Sequence, residues 1–349
     1  MKLSSFDYEL PPELIAQEPA QARDASRLLV LDRRTGAISH GKFTDLPSFF
    51  QPDEVLLLNE SKVIPARLRL AREESGGKVE VLLLRSSGPG EWDALLKPSV
   101  KMKPGQRLVL PDKTAQPVLK VVRLIGDGKW TVSEEEGAGA SLLALGEAPL
   151  PPYIRREGTV RREDDLARYQ TVYARVPGSV AAPTAGLHFT DEVLEGVKAA
   201  GARVSRFSLH VGMGTFLPVR AEENILEHRM EAERFEVPGE TAECLRQARE
   251  RRSRIVAVGT TGVRVLETIA QRLDGAAKDG IRGETALFIT PGFDFVLAGA
   301  MLTNFHLPKS TPYILVAAFA GIDLVRKAYA DAVRERYRFL SYGDAMLIL

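Results

Sequence analysis

From Arg67 to about Gly137 the chain never sustains a long apolar run. It breaks into RLRLAR, KVEVLLLR, EWDALL, QRLVLP, PVLKVVRLI and KWTVSE, divided by SGG, SSGPG, KPSVKMKPG, PDKTAQ and GDGK. Six short strands with turn chemistry at this spacing predict a small antiparallel β-barrel over residues 66–150. Both tryptophans, Trp92 and Trp130, fall inside it, which suits a compact β core.

Core-like sequence lies on both sides of that segment. Thr190 can cap a helix whose first turn carries Asp191 and Glu192, and Gly201 would stop it. In RFSLHV, Phe207, Leu209 and Val211 alternate with Ser208 and His210, the period-two mark of a strand with His210 on its polar side. SRIVAVG reads as a buried strand running into the amphipathic helix TTGVRVLETIAQRL. ETALFITPG and YILVAAFAG read as more strand or helix core, and LVRKAYADAVRERY has helical spacing. Strands alternating with helices predict an α/β core domain built from residues 1–65 and 151–349, with the barrel inserted into it.

A length of 349 residues, 44% of them hydrophobic, supports two such domains. Cys244 is the only cysteine, so neither an intrachain disulfide nor a thiolate cluster can form, and its helical context reads as structural. Asp7 and Glu9 interrupt the first ten residues where a signal peptide needs an apolar stretch. The most apolar run, Tyr313 to Ile322, is too short to span a bilayer, so a cytoplasmic protein without membrane contact is expected. A net charge of +1 gives no global nucleic-acid signal. Locally, SKVIPARLRLAR and KPSVKMKPGQR each carry four basic residues and no acid, and YIRREGTVRR adds a further cluster. Lys62, Arg67, Arg69, Lys101, Lys103, Arg155 and Arg156 are the expected contacts to a polyanion.

The best-known catalytic signatures are missing: there is no GxGxxG after a strand, no Walker loop, no CxxC and no HExxH. Irregular loops at element ends remain. In AVGTTGVRVLE the helix is expected to start near Thr261, where Gly259, Thr260 and Thr261 present N–H groups and hydroxyls to an anion, with Arg264 as a second contact. His188, His210 and His306 lie in GLHFT, SLHVGMG and TNFHLPKST, settings that suit a proton acceptor near neutral pH. His228 and Glu231 are three apart and, with Glu233, could hold zinc on a helix face, but nothing else supports a metal site and none is predicted. The rigid, basic loop around Lys309 between Pro308 and Pro312 suits ligand positioning.

These loops together resemble the S-adenosylmethionine:tRNA ribosyltransferase-isomerase family of queuosine biosynthesis. The resemblance runs nearly end to end, through FDYELPPELIAQEP, LLLNESKVIPARL, YQTVYARVPGSVAAPTAGLHFT, HVGMGTFLPVR, AVGTTGVRVLE, LTNFHLPKSTP and RYRFLSYGDAML, in the family's order. Glu231 stands where the family commonly has a second histidine, NESKVIPARL where it has NDTRVIPARL, and Gly262 replaces a serine.

The resemblance implies S-adenosylmethionine as a ribosyl-donating co-substrate, with no tightly bound cofactor. It further implies a tRNA acceptor carrying 7-aminomethyl-7-deazaguanine at the wobble position, epoxyqueuosine as product, and adenine and methionine released. A monomer is expected. A sulfonium acidifies the adjacent C5′ protons, so a histidine suffices as base, and His188 and His210 are the leading candidates with His306. Phe189 and Phe305 could hold the sulfonium by cation–π attraction. Thr184, Gly212 and Gly214 complete the expected substrate contacts, the small residues of APTAGLHFT allowing close backbone approach. A non-catalytic RNA-binding protein and a metal-dependent hydrolase using the histidines are the alternatives.

Overall fold

In the computed structural model, which describes residues 1–111, 117–126, 128–135, 142–156, 162–212, 219, 221–275 and 279–349, the chain first lays down four strands. These are β1 (Arg27–Leu31), β2 (Ile38–Lys42), β3 (Val55–Asn59) and β4 (Ser61–Val63). The six short segments follow as β5 (Arg67–Arg72), β6 (Lys78–Gly88), β7 (Glu91–Lys97), β8 (Arg107–Val109), β9 (Pro117–Gly126) and β10 (Lys129–Glu134). They close into a barrel in the order β10-β7-β6-β5-β8-β9, with every neighbouring pair antiparallel. Closure leaves no sheet edge to protect. Alternate residues such as Leu68, Leu70, Val79, Val81, Leu119, Val121 and Val132 fill the interior. Trp130 is buried there and donates its indole N–H to Ser99 Oγ at 2.9 Å. Trp92 is only half-buried, with its indole N–H on Glu134 at 3.2 Å.

After the barrel come α1 (Arg162–Arg168), β11 (Val176–Ser179), α2 (Asp191–Ala199), β12 (Arg203–Leu209), β13 (Glu233–Val237), α3 (Gly239–Arg251), β14 (Ile255–Val258), α4 (Gly259–Ile269), β15 (Ile281–Thr285) and β16 (Ala300–Asn304). Helices α5 (Thr311–Ala320) and α6 (Ile322–Arg334) precede the last strand, β17 (Ala345–Ile348). Nine strands on either side of the barrel in sequence form one mixed sheet, ordered β15-β13-β12-β3-β14-β16-β17-β1-β2. At its centre β12, β3, β14 and β16 run parallel to one another. Helices on both faces explain why these strands read as unbroken apolar runs. Val55 and Leu57 pack in the cluster that holds Leu245 of α3, Leu266 of α4 and Ile314 of α5, whereas Leu56 and Leu58 pack with Val193 and Val197 of α2.

Double coverage also changes one reading: Ser208, expected on a polar face, is buried like its apolar neighbours. Of the strand or helix expected for YILVAAFA, the chain forms helix α5, capped by Ser310 Oγ on Tyr313 N–H at 3.4 Å. Thr190 caps α2 as expected, and no helix among the described residues is long and apolar enough to cross a membrane.

Candidate functional site

Because the four central strands are parallel, their carboxyl ends lie along one edge, where open α/β sheets bind ligands. A cavity of about 350 Å³ opens there. Val211 beyond β12, Gly259 to Thr261 at the start of α4, and Thr303, Asn304 and His306 at the end of β16 line it. The run Ala181 to Ala185 forms the facing wall, with Leu3 and Lys309 at the rim. That wall is fixed by Ser179, whose Oγ accepts the Val211 N–H at 3.1 Å and donates to Ser61 Oγ at 2.8 Å. The Val180 and Ala181 N–H groups then bond Val211 O at 3.0 and 3.2 Å. Small side chains at Ala181, Ala182 and Ala185 leave the space that a ligand needs.

Helix α4 begins two residues earlier than expected, at Gly259, whose φ of 79° needs glycine. No side chain caps its first turn. Thr261 Oγ1 is buried at this start with no hydrogen-bond partner among the described residues. Uncapped N–H groups, a positive dipole end and an unsatisfied hydroxyl are therefore gathered at one place on the cavity wall.

The three candidate histidines separate. His306 is on the cavity wall, and its Nε2 pairs with Thr303 Oγ1 at 2.8 Å. Burial pushes its imidazole down to about 3, so the ring is neutral at physiological pH. His188 lies behind the wall. Its Nδ1 bonds Ser26 Oγ at 2.8 Å and its Nε2 bonds Asn304 Nδ2 at 3.0 Å, which satisfies both ring nitrogens away from the cavity. His210 packs against β11, where a Cβ on Gly178 would come within 2.8 Å of its ring, and it does not line the cavity. Burial and then Arg234 lower its pKa.

Several other expected contacts are placed elsewhere. Arg264 faces the core, where it forms a buried ion pair with Glu233 and donates to Leu287 O at 3.0 Å and Thr285 O at 3.2 Å. These bonds use one N–H on each guanidinium nitrogen, and the side chain also lines a small cavity with Thr260 and Thr261 at the start of α4. Phe305 is fully buried among Tyr329, Tyr337 and Phe339, and Phe189 packs on Phe43 and Tyr173 on the opposite side of the sheet. Burying aromatic area outweighed presenting these rings to a ligand. Gly212 holds the loop by donating its N–H to Glu233 Oε1 at 2.9 Å. Gly214 lies outside the described residues. Lys309 adopts the left-handed φ of 57° at the rim and pairs with Asp7 at 2.6 Å.

Among the basic residues, Lys62, Lys101, Lys103 and Arg155 are exposed and make no ion pair with another described residue. Arg69 is exposed but pairs with Glu147 at 3.3 Å. Arg67 is half-buried on Leu150 O at 2.8 Å. Arg156 is structural, clamped by Asp165 at 2.8 Å and by Gln17 O at 2.9 Å. His228 caps a short turn against Phe288, and Glu231 pairs with Lys129 of the barrel, so the two do not form a ligand pair.

Sequence reasoning missed Thr303, Asn304 and the N-terminal segment. Two polar residues closing the apolar strand AMLTN, next to a loop, were the available signal for the first pair. The N-terminal residues strap over the rim: Leu3 N–H bonds Glu222 O at 2.9 Å, and Lys309 N–H bonds Phe6 O at 2.9 Å. Tyr8 OH donates to His306 O.

The histidine environments carry a pH prediction. Burial, then Arg338 and Arg23, holds His188 at about 3, whereas an unfolded histidine titrates near 6.5. Between these values the unfolded chain binds the extra proton, so stability falls as the pH drops through that window. By linkage the loss from His188 alone is roughly 2 kcal/mol at pH 5 relative to pH 7 or above. Urea unfolding at pH 7 and pH 5 checks it: His188→Gln should unfold more easily than wild type at pH 7 but lose less on acidification. An identical pH slope in both proteins would refute the assignment.

Residues 3–348 match the family described as queuosine biosynthesis protein. The chain is 52% identical over 350 residues to the S-adenosylmethionine:tRNA ribosyltransferase-isomerase of Rubrobacter xylanophilus, covering 100% of this chain and 98% of that one. It is 50% identical over 349 residues to the enzyme of the same name from Thermotoga maritima, covering both chains fully. The crystal structure of S-adenosylmethionine tRNA ribosyltransferase from Thermotoga maritima superposes with a TM-score of 0.56 at 41% identity, over 99% of this chain and 100% of the other.

Proposed function

From the premise that this chain belongs to the queuosine biosynthesis protein family, we propose how its cavity carries out the reaction. The chain is an S-adenosylmethionine:tRNA ribosyltransferase-isomerase. It moves and isomerises the ribosyl unit of S-adenosylmethionine onto 7-aminomethyl-7-deazaguanine at the tRNA wobble position, giving epoxyqueuosine with adenine and methionine released.

One observation carries the residue assignment: of the three candidate histidines, His306 alone shares the cavity with the open start of α4. The methionine carboxylate of S-adenosylmethionine docks on the N–H groups at Gly259 to Thr261, and Thr261 Oγ1 supplies a further donor. The alanine wall admits the nucleoside. The sulfonium acidifies the ribose C5′ protons, and neutral His306 accepts one of them, leaving a carbanion beside the sulfonium that the bound tRNA covers against water. The tRNA lies on exposed Lys62, Lys101, Lys103 and Arg155, with Arg69 adding charge once it leaves Glu147. The enzyme works as a cytoplasmic monomer and needs no tightly bound cofactor.

The test is product stoichiometry. With S-adenosylmethionine and tRNA carrying the aminomethyl base, one adenine and one methionine should appear for each modified base, and neither without the tRNA. RNA retained without S-adenosylmethionine binding would overturn the reading in favour of an RNA-binding protein.

A further inference from the structure

A chain of hydrogen bonds of fixed polarity runs from the protein interior to the cavity wall. Asn304 is at its centre, 1% exposed at the end of β16. Its Nδ2 lies 3.4 Å from the backbone carbonyl of Asp344, which can only accept, so the amide nitrogen is on that side and the oxygen on the other. The same Nδ2 is 3.0 Å from His188 Nε2, so Nε2 is the bare acceptor and Nδ1 carries the proton donated to Ser26 Oγ at 2.8 Å. At the opposite end Asn304 Oδ1 is 2.8 Å from Thr184 Oγ1. Carboxamide oxygen has no proton to give, so the Thr184 hydroxyl must donate its own. Thr184 lines the cavity. What it presents to a ligand is therefore lone pairs only.

An acceptor-only oxygen repels a carboxylate and binds a donor. Its neighbour Ala185 fixes where: a Cβ placed on Gly259 would meet the Ala185 methyl at 3.9 Å, so this wall adjoins the start of α4. An α-amino acid held by its carboxylate at α4 carries its ammonium on the adjacent carbon, next to the wall that Ala185 and Thr184 form. Lys309, the nearest basic side chain at the rim, is engaged by Asp7. We propose that Thr184 Oγ1, oriented by Asn304 and His188, receives the α-ammonium of the methionine end of S-adenosylmethionine, so that the cavity recognises an intact amino acid. This assignment rests on the reading that the carboxylate docks at α4. His188 is a positioning residue within it, acting through Asn304.

Calorimetry on the full chain with three ligands tests both layers separately: S-adenosylmethionine, its decarboxylated form, and an analogue lacking the α-amino group. Thr184→Val should weaken S-adenosylmethionine binding by about 10- to 100-fold, the range for a hydrogen bond to a charged group. The analogue without an ammonium should bind wild type and Thr184→Val equally. Thr184→Ser, which keeps the hydroxyl, should restore binding to within a few-fold and excludes a folding defect as the cause. Equal losses for both ligands would mean that Thr184 contacts another donor, such as a ribose hydroxyl, and would overturn the proposal. So would a loss that follows Glu222→Gln on the rim instead of Thr184→Val. If the decarboxylated form binds wild type as tightly as S-adenosylmethionine, the α4 reading fails, while the ammonium coupling at Thr184 is still measured by the other pair.

Discussion

Replacing His306 with glutamine is expected to lower turnover by about 10²- to 10⁴-fold, the usual contribution of a positioned general base, with S-adenosylmethionine binding changed only a few-fold. Glutamine keeps a polar group against Thr303 Oγ1, which bonds the ring at 2.8 Å in the parent protein, but it cannot take up a proton. The imidazole is held at about 3 by burial. Proton transfer then places a carbanion beside the new imidazolium, and that opposite charge favours the protonated ring. The pH dependence follows with a definite sign. A base that protonates only near 3 stays in its active form at every higher pH, so His306 contributes no acidic limb to the rate between pH 5 and 8. His210→Gln is the control. Its ring does not line the cavity, so it should retain turnover within about tenfold of wild type. Single-turnover assays that show His210→Gln inactive and His306→Gln active would assign the base to His210 and remove it from His306.

Sequence and structure agree where local chemistry decides the outcome. Each barrel strand is bounded by its own turn residues, so all six segments were legible before closure was known. The strand-to-helix switch at α4 is legible to within two residues for a similar reason, since glycine followed by two threonines after an apolar strand marks a helix start. What could not be read is which way a side chain faces once distant segments meet. His188, His210 and His306 occupy similar local contexts, yet only the register of β16 and the packing of the alanine wall put His306 on the cavity. Arg264 looked free because Glu233, 31 positions away, becomes its partner only when β13 and α4 come together. Phe189 and Phe305 were misread for a thermodynamic reason: two interior faces were available, and burying a ring stabilises the fold more than exposing it to an occasional ligand. The strap of Leu3 to Tyr8 opens a segment that carries the resemblance, yet nothing in its residues says what it covers. Its role is created by backbone bonds to residues more than two hundred positions away.

That Arg264–Glu233 pair braces the elements that carry the site, and its removal is the second large effect expected. Both side chains are 6% exposed. Arg264 ties α4 to the end of β15 through Thr285 O and to the following loop through Leu287 O, and Glu233 holds the Gly212 N–H at 2.9 Å beside cavity residue Val211. Glu233→Ala leaves a buried guanidinium without its counter-charge, which costs about 3–5 kcal/mol. It also frees the loop that carries the Val211 carbonyl, the acceptor for Val180 and Ala181. Urea unfolding should register the first effect and weaker S-adenosylmethionine binding the second. An apolar pair provides the decisive comparison. Glu233→Met combined with Arg264→Met removes both charges, so it should recover part of the stability lost in either single variant, because the uncompensated charge rather than the missing bond dominates the cost. A double variant that loses the full sum of the singles would show instead that the two side chains act independently, with the hydrogen bonds to Thr285, Leu287 and Gly212 supplying the stability.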